Sequence, residues 1–405
     1  MLKIRLCLFY NFFTFTLFFF MFTACFNDSS EVSGLDYTKD DYIITEDFSE
    51  EPDELITARL KAMDIAALMD DSQLAAQCLL TGLDSNNFLS RSMRDMLSNY
   101  QVGGIMYFRH NLAADKDEVR SFLHESALVV FENTGIVPFI AVDHEGGLVH
   151  RFGQGVLRLP SAYHFWNLAQ NESTEASLLR LEELVLQSAM EIRELGITMN
   201  LAPVAEVLSE ENRVFLETRA YGPDPLFVEM AASAFINAMD MAGIASVVKH
   251  FPGNSAEDPH FTESIISSDY NELLSMTEPF RGIIRNISPS SIMISHSIVG
   301  AIDPQSNASL SPPVIKWLRD GFGFQGIVMA DDFRMRAVTT RGISSEQAAV
   351  IALNAGVDMI MCWPHNISSV HKAILDALDL GNLSRERLLD AVTRILTEKI
   401  RYGLL

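Results

Sequence analysis

From about residue 54 onward, short apolar runs alternate with longer windows in which apolar positions recur every three to four residues. The short runs are Gly104 to Phe108, Val137 to Val142, Ile197 to Leu201, Ala245 to Val248, Ser291 to Ile294, Gly326 to Ala330 and Val357 to Met361. Each is nearly continuous in apolar character, as strands covered on both faces must be. The windows between them read as helices, among them Ala176 to Leu195, Pro225 to Ala242 with Gly243 as its stop, and Arg385 to Tyr402. Leu74, Ala75, Cys78 and Leu79 share one helical face. Alternating β and α over about 350 residues, with no linker longer than a loop, predicts one (β/α)8 barrel, a fold that needs ~250 residues and grows by insertion. A doubly wound sheet has the same period and differs only in strand order, which periodicity does not report.

The N-terminus breaks this pattern. Lys3 and Arg5 precede an apolar stretch from Leu6 to Phe22 that stops at Phe22-Thr23-Ala24-Cys25, and eight of the 26 Phe lie in these first 25 residues. Charged start, apolar middle and small residues at the end are the three regions of a secretory signal. The run also approaches the ~18 to 20 residues of a spanning helix. Small residues directly before Cys25 resemble a bacterial lipobox, with Phe22 where Leu is usual. That resemblance implies a signal peptide over 1–24, lipidation at Cys25, and a body held at a membrane in the cell envelope, facing the periplasm or the surface.

Charge sharpens the division. Fifty-three acids against 30 Lys and Arg give −23, and 11 of the acids lie between Phe26 and Thr57 with a single Lys. A weakly hydrophobic, self-repelling segment predicts an extended tether over 25–55, leaving 56–405 as the barrel. The tether carries −10 and Lys3 with Arg5 carry +2, so the body holds −15. So acidic a chain repels polyphosphate, which excludes nucleic acid as a natural partner. Cys78 and Cys362 are too few for a disulfide framework and read as buried free thiols.

A barrel places its chemistry just after strand C-terminal ends, and here the apolar runs empty into polar residues. Asp143-His144-Glu145-Gly146-Gly147 follows one run, Lys249-His250-Phe251-Pro252-Gly253 another, His296 a third and Asp331-Asp332 a fourth. A strand-end carboxylate facing the barrel axis can attack an electrophilic carbon such as a sugar anomeric centre. The same Asp pair could instead cap the following helix. Asp258-Pro259-His260 pairs a carboxylate with an imidazole, which fixes the ring tautomer and suits proton transfer near neutral pH, although Asp-X-His also occurs in plain solvated loops. Asp258, His260, His250 and His296 could be imagined around a metal, yet no helical His pair or Cys ligand accompanies them, and neither metal nor cofactor is expected. Arg219, Lys249 and His250 supply donors and Asp143 an acceptor, the mixed ring that sugar hydroxyls demand. No Gly-X-Gly-X-X-Gly turn is present to cradle phosphate.

Taken in order, these motifs resemble glycoside hydrolase family 3, and within it the single-domain β-N-acetylhexosaminidases of the NagZ type. The resemblance runs through Val102-Gly103-Gly104-Ile105, the Asp143 motif, Asn200-Leu201-Ala202-Pro203-Val204, Arg219-Ala220-Tyr221-Gly222, Lys249-His250-Phe251-Pro252-Gly253, Asp258-Pro259-His260, Ala308-Ser309-Leu310-Ser311, Gly323-Phe324-Gln325-Gly326 into Asp331-Asp332, and Ala355-Gly356-Val357-Asp358-Met359. It implies a retaining double displacement on terminal β-linked N-acetylglucosamine. Asp331 rather than Asp332 would be the nucleophile and His260, oriented by Asp258, the acid/base. Asp143, Arg219, Lys249 and His250 would hold the sugar. Two-domain β-glucosidases of the family recruit a Glu from a second domain, which is not expected here because the chain ends at Leu405 directly after its last helical window.

Two departures bear on activity. His144 and Leu148 stand where the family has Gln and Arg, so one cationic sugar contact is expected to be missing. The loop from Asn254 to Glu257 is two residues short, which is expected to alter how His260 reaches the glycosidic oxygen. The expected substrate is a peptidoglycan-derived muropeptide or related glycan, with a monomer favoured. A β-glucosidase, a glycoside phosphorylase, and a catalytically weakened sugar-binding lipoprotein are the competing functions.

Overall fold

A computed structural model describes residues 52–405. The export segment, Cys25 and residues 26–51 of the tether lie outside the described residues. Eight parallel strands close a barrel: β1 (Leu79–Gly82), β2 (Gly104–Tyr107), β3 (Phe139–Val142), β4 (Met199–Asn200), β5 (Ala245–Phe251), β6 (Ser291–Ile294), β7 (Ile327–Ala330) and β8 (Met359–Cys362). Each strand pairs with its sequence neighbour, and β8 closes on β1 through Leu79 opposite Ile360 and Thr81 opposite Cys362. Every barrel-strand residue is buried, which is why these runs lack the polar alternation of a one-sided sheet. The (β/α)8 expectation is therefore met. Ile265–Ile266, Ile298–Val299 and Asp303–Asn307 form a separate three-stranded sheet on the insertions.

Seven strands lie where the apolar runs place them, and the first does not. Leu74, Ala75, Cys78 and Leu79 share a helical spacing, but the helix Asp71–Gln77 ends before Cys78 and Leu79 begins β1. Four residues are too few to establish a period of their own, so the preceding helix masks them. The start of the body also differs. A helix spans Asp53–Ala67 with Asp53 and Glu54 in its first turn, so the last residues read as tether are helical. Acidic side chains there complement the partial positive charge of a helix N-terminus. No helix among the described residues is long and apolar enough to cross a membrane.

The predicted helices are seen as Thr174–Leu195, Pro225–Met241 and Arg385–Arg401. Asp224 accepts the Leu226 amide ahead of Pro225, an N-cap followed by proline at the first helical position. Cys78 and Cys362 are free and buried, and burial pushes both thiols up to about 12.

The Gly356-Val357-Asp358 stretch serves the opposite end of the barrel from the chemistry. Asp358 is fully buried at the entry to β8, where it accepts from Arg319 at 2.5 Å, Arg387 at 2.7 Å, Arg394 at 3.4 Å and the Val328 amide at 2.9 Å. Burial pushes its carboxyl up, but the three guanidinium charges outweigh this and hold it below the usual range. The cluster ties β7 and β8 to the helix Arg385–Arg401.

Candidate active site

At the C-terminal end of the strands a cavity of about 260 Å³ opens. It is lined by Asp143 and Glu145 after β3, Lys249 and His250 of β5, Arg219, His260, His296, and Asp331 with Asp332 after β7. A larger cavity of about 590 Å³, lined by Arg319, Phe324, Arg394 and Arg401, lies at the other end of the barrel and contains none of these groups.

Consecutive residues of a strand point to opposite faces, yet Lys249 and His250 both line the cavity. The register between β5 and β6 shifts there: Lys249 faces Met293 and Phe251 faces Ile294, leaving His250 as an extra residue. Such bulges sit at barrel rims and re-aim side chains.

The cationic and acidic side chains form one chain of alternating charge. Lys249 Nζ lies 2.7 Å from Asp143 Oδ1 and 2.7 Å from Glu145 Oε1, and Arg219 grips Glu145 with bonds of 2.8 and 2.9 Å. Arg151 approaches Asp143 Oδ2 at 3.3 Å. Burial pushes the Asp143 and Glu145 carboxyls up, but Lys249 with Arg151 and Lys249 with Arg219 overcome it, holding both below the usual range. Burial likewise disfavours the charged Lys249, and the two carboxylates reverse that and raise it. Asp143, Glu145 and Lys249 are therefore held in their charged forms.

Glu145, Arg151 and Glu206 carry structure that the sequence reading left unassigned. Arg151 lies eight residues after Asp143 in the same loop and lines the cavity, whereas Leu148 is 64% exposed and borders a shallow depression with Arg158 and Ser161. Position 148 therefore lies outside the cavity, and Arg151 places a cation in its wall. Gly146 and Gly147, at φ of 99° and 55°, turn this loop back against Pro160 and Ser161, where a Cβ would clash. His144 points away from the cavity. Its Nε2 lies 2.9 Å from the Ser188 hydroxyl, and burial holds the imidazole down at about 3, so it stays neutral.

His250 Nδ1 lies 2.6 Å from Glu206 Oε1. A carboxylate only accepts, so the proton is on Nδ1 and Nε2 is left for the cavity. Asn254 Nδ2 donates to the same oxygen at 3.0 Å. His260 repeats the arrangement, with Nδ1 2.6 Å from Asp258 Oδ1. Its loop is docked rather than free: the Ala337 amide donates to the Pro259 carbonyl at 3.0 Å, and Ser255, Ser264 and Ser297 share hydroxyl bonds at its base. The short loop still brings His260 to the cavity wall.

Asp331 and Asp332 are not equivalent. Asp332 Oδ1 accepts the Arg334 amide at 2.9 Å, making Asp332 a turn-capping carboxylate, while Asp331 caps no helix. Neither acid caps the following helix, whose N-cap is Met335 with no side-chain cap bond. Among the described residues no group of three or more His, Cys, Asp or Glu is placed to hold a metal ion.

A closed barrel whose strand ends gather carboxylates and an Asp-oriented imidazole around a small polar cavity holds the groups that a glycoside hydrolase needs, and comparison with known proteins places the chain in that class. Residues 72–398 match the glycosyl hydrolase family 3 N terminal domain, and the chain belongs to that family. It is 33% identical over 302 residues to a β-hexosaminidase of Methylococcus capsulatus, covering 72% of this chain and 84% of the relative. Among solved structures it is similar to a family 3 β-N-acetylglucosaminidase from Paenibacillus, with a TM-score of 0.77 and 28% identity over 83% of this chain, spanning 63% of that one. It is also similar to LpqI of Mycobacterium tuberculosis, with a TM-score of 0.74 and 27% identity, covering 84% of this chain and 96% of that one.

Proposed function

We propose that the protein is a retaining β-N-acetylhexosaminidase that removes terminal β-linked N-acetylglucosamine. The observation that carries this reading is the convergence, on one 260 Å³ cavity, of Asp331, the Asp258-bound His260 and the Asp143–Lys249–Glu145–Arg219 network. Similarity to β-hexosaminidases and a β-N-acetylglucosaminidase supports the choice of sugar.

In the first half-reaction an Asp331 carboxylate oxygen bonds to the anomeric carbon as the glycosidic C–O bond breaks. His260 Nε2 gives its proton to the leaving oxygen. In the second, His260 Nε2 takes a proton from water, whose oxygen displaces Asp331 and releases the sugar with its β configuration. Asp258 keeps the Nδ1 proton in place through both steps. Asp143, Arg151, Arg219, Lys249 and His250 supply donors and acceptors to the sugar hydroxyls.

Arg336, whose amide donates to the His260 carbonyl at 3.4 Å, is exposed beside the docked His260 loop. A guanidinium there suits a leaving group bearing carboxylates, such as a peptidoglycan-derived muropeptide. In this reading Cys25 is lipidated and the acidic segment holds the barrel off a cell-envelope membrane. The test is nitrophenol release from a 4-nitrophenyl N-acetyl-β-glucosaminide, with anomeric configuration followed by NMR. Release of the β anomer, abolished by Asp331→Ala, is expected. An α product, or activity that survives the substitution, overturns the mechanism, and phosphate-dependent formation of a sugar phosphate would make the enzyme a phosphorylase.

A further inference from the structure

Asp332 is the most heavily restrained acid in the cavity. Its Oδ2 accepts the Trp363 indole N–H at 3.0 Å and both Nε and Nη2 of Arg334 at 3.2 Å. Its carbonyl accepts from His296 Nε2 at 3.2 Å, and His296 Nδ1 in turn accepts the Ser309 hydroxyl at 2.7 Å. Burial holds His296 below its ordinary value, against the pull of Asp331, so the ring acts as a neutral donor. Asp332 then passes this restraint on, because its own amide donates to Asp331 Oδ1 at 2.8 Å.

Trp363 is itself fixed from both sides. The Arg334 guanidinium lies 3.8 Å from the centre of its ring, and Phe108 stacks on it at 5.0 Å with 22° between planes. Gly82, at the end of β1, makes room for the pair, since a Cβ there would lie 3.1 Å from Trp363 and 3.4 Å from Phe108. The clasp therefore joins the ends of β1, β2, β7 and β8 across the closure of the barrel. A surface aromatic needs no such sequence of contacts to be buried. Here the indole N–H and the Arg334 guanidinium both end on Asp332, the acid adjacent to Asp331.

We propose that Trp363 is a positioning residue for Asp331, acting through Asp332: the indole N–H fixes the Asp332 carboxylate, and the Asp332 amide holds Asp331 Oδ1 so that the other oxygen attacks. The inference rests on reading Asp331 as the nucleophile. Trp363 lines the same cavity, but its indole N–H is engaged by Asp332 rather than by the sugar, so loss of that N–H affects bond formation and not ground-state binding.

The test uses the full chain with three variants. Trp363→Phe keeps a stacked ring and removes the donor, Arg334→Met removes the guanidinium from an exposed position, and Asp331→Ala is the reference. Two quantities are measured: the rate of covalent labelling by a fluorinated N-acetylglucosaminide, and the inhibition constant of free N-acetylglucosamine. Labelling is expected to slow about tenfold in Trp363→Phe and about threefold in Arg334→Met, with the inhibition constant within twofold of wild type. An unchanged labelling rate in Trp363→Phe overturns the inference, whatever Arg334→Met does. So does an inhibition constant that weakens as much as labelling slows, because Trp363 would then contact the sugar. Should Asp331→Ala still be labelled, the nucleophile assignment fails instead, and the two failures are distinct.

Discussion

Lys249→Met removes the one cation shared by two carboxylates. Lys249 Nζ is 2.7 Å from both Asp143 and Glu145, and its side chain is 4% exposed. Removing one partner of a buried ion pair costs about 3–5 kcal/mol. Asp143 keeps Arg151 at 3.3 Å and Glu145 keeps its two Arg219 bonds, so the low end applies, about 3 kcal/mol. Unfolding entropy of about 2.1 cal/mol/K per residue over roughly 350 residues makes this a fall in Tm of about 4 °C. The pH dependence has a definite sign. Asp143 and Glu145 are held below the usual range in the fold, so their pairing stabilises fully above the unfolded carboxylate value near 4 and is lost as pH falls through the folded value. The gap between wild type and variant is therefore larger at pH 7 than at pH 3. Thermal unfolding at both values checks this. A Tm within 1 °C of wild type at pH 7, or a gap that widens on acidification, would refute the account of the network. Catalysis should fall by about 100-fold in kcat/KM, as expected for loss of a preorganised cationic donor.

Three further outcomes follow from the same contacts. Leu148→Arg should leave kcat/KM within twofold of wild type, because position 148 faces solvent outside the cavity and Arg151 already places a cation in its wall; kinetics on the nitrophenyl substrate checks it. Asp358→Ala leaves Arg319, Arg387 and Arg394 without their shared partner, and should destabilise by about 3–5 kcal/mol in denaturant unfolding. Lys399 is fully buried, donates to Gln77 at 2.9 Å, and is held by burial at about 7. The unfolded chain binds that proton below about 10.4 and the folded one only below about 7, so wild-type stability rises with pH across this window. Lys399→Met should remove the rise, by about 3 kcal/mol between pH 7 and 9.5, as read from urea unfolding.

Much of the fold was legible because strands covered on both faces leave continuous apolar runs, and seven of the eight stand out between amphipathic windows. β1 did not, since Leu79 continues the spacing of the helix before it. At the site, strand-end position marked Asp143, Lys249, His250 and Asp331, and the two-residue spacing marked Asp258 with His260. Partners set by long-range geometry were invisible. Glu206 reaches His250 from 44 residues away, Glu145 meets Arg219 across 74, and Trp363 meets Asp332 across 31. Leu148 misled for the opposite reason: a residue's place in a motif does not say which way its loop turns. The two positive-φ glycines before it direct the chain so that Arg151, not residue 148, enters the cavity.

The central claim is that Asp331 forms the covalent bond to the sugar. Trapping the enzyme with a fluorinated N-acetylglucosaminide, followed by mass mapping of the labelled peptide, tests it most directly. The account predicts a single label on Asp331; a label on Asp332, on any other residue, or none at all under turnover conditions would contradict it.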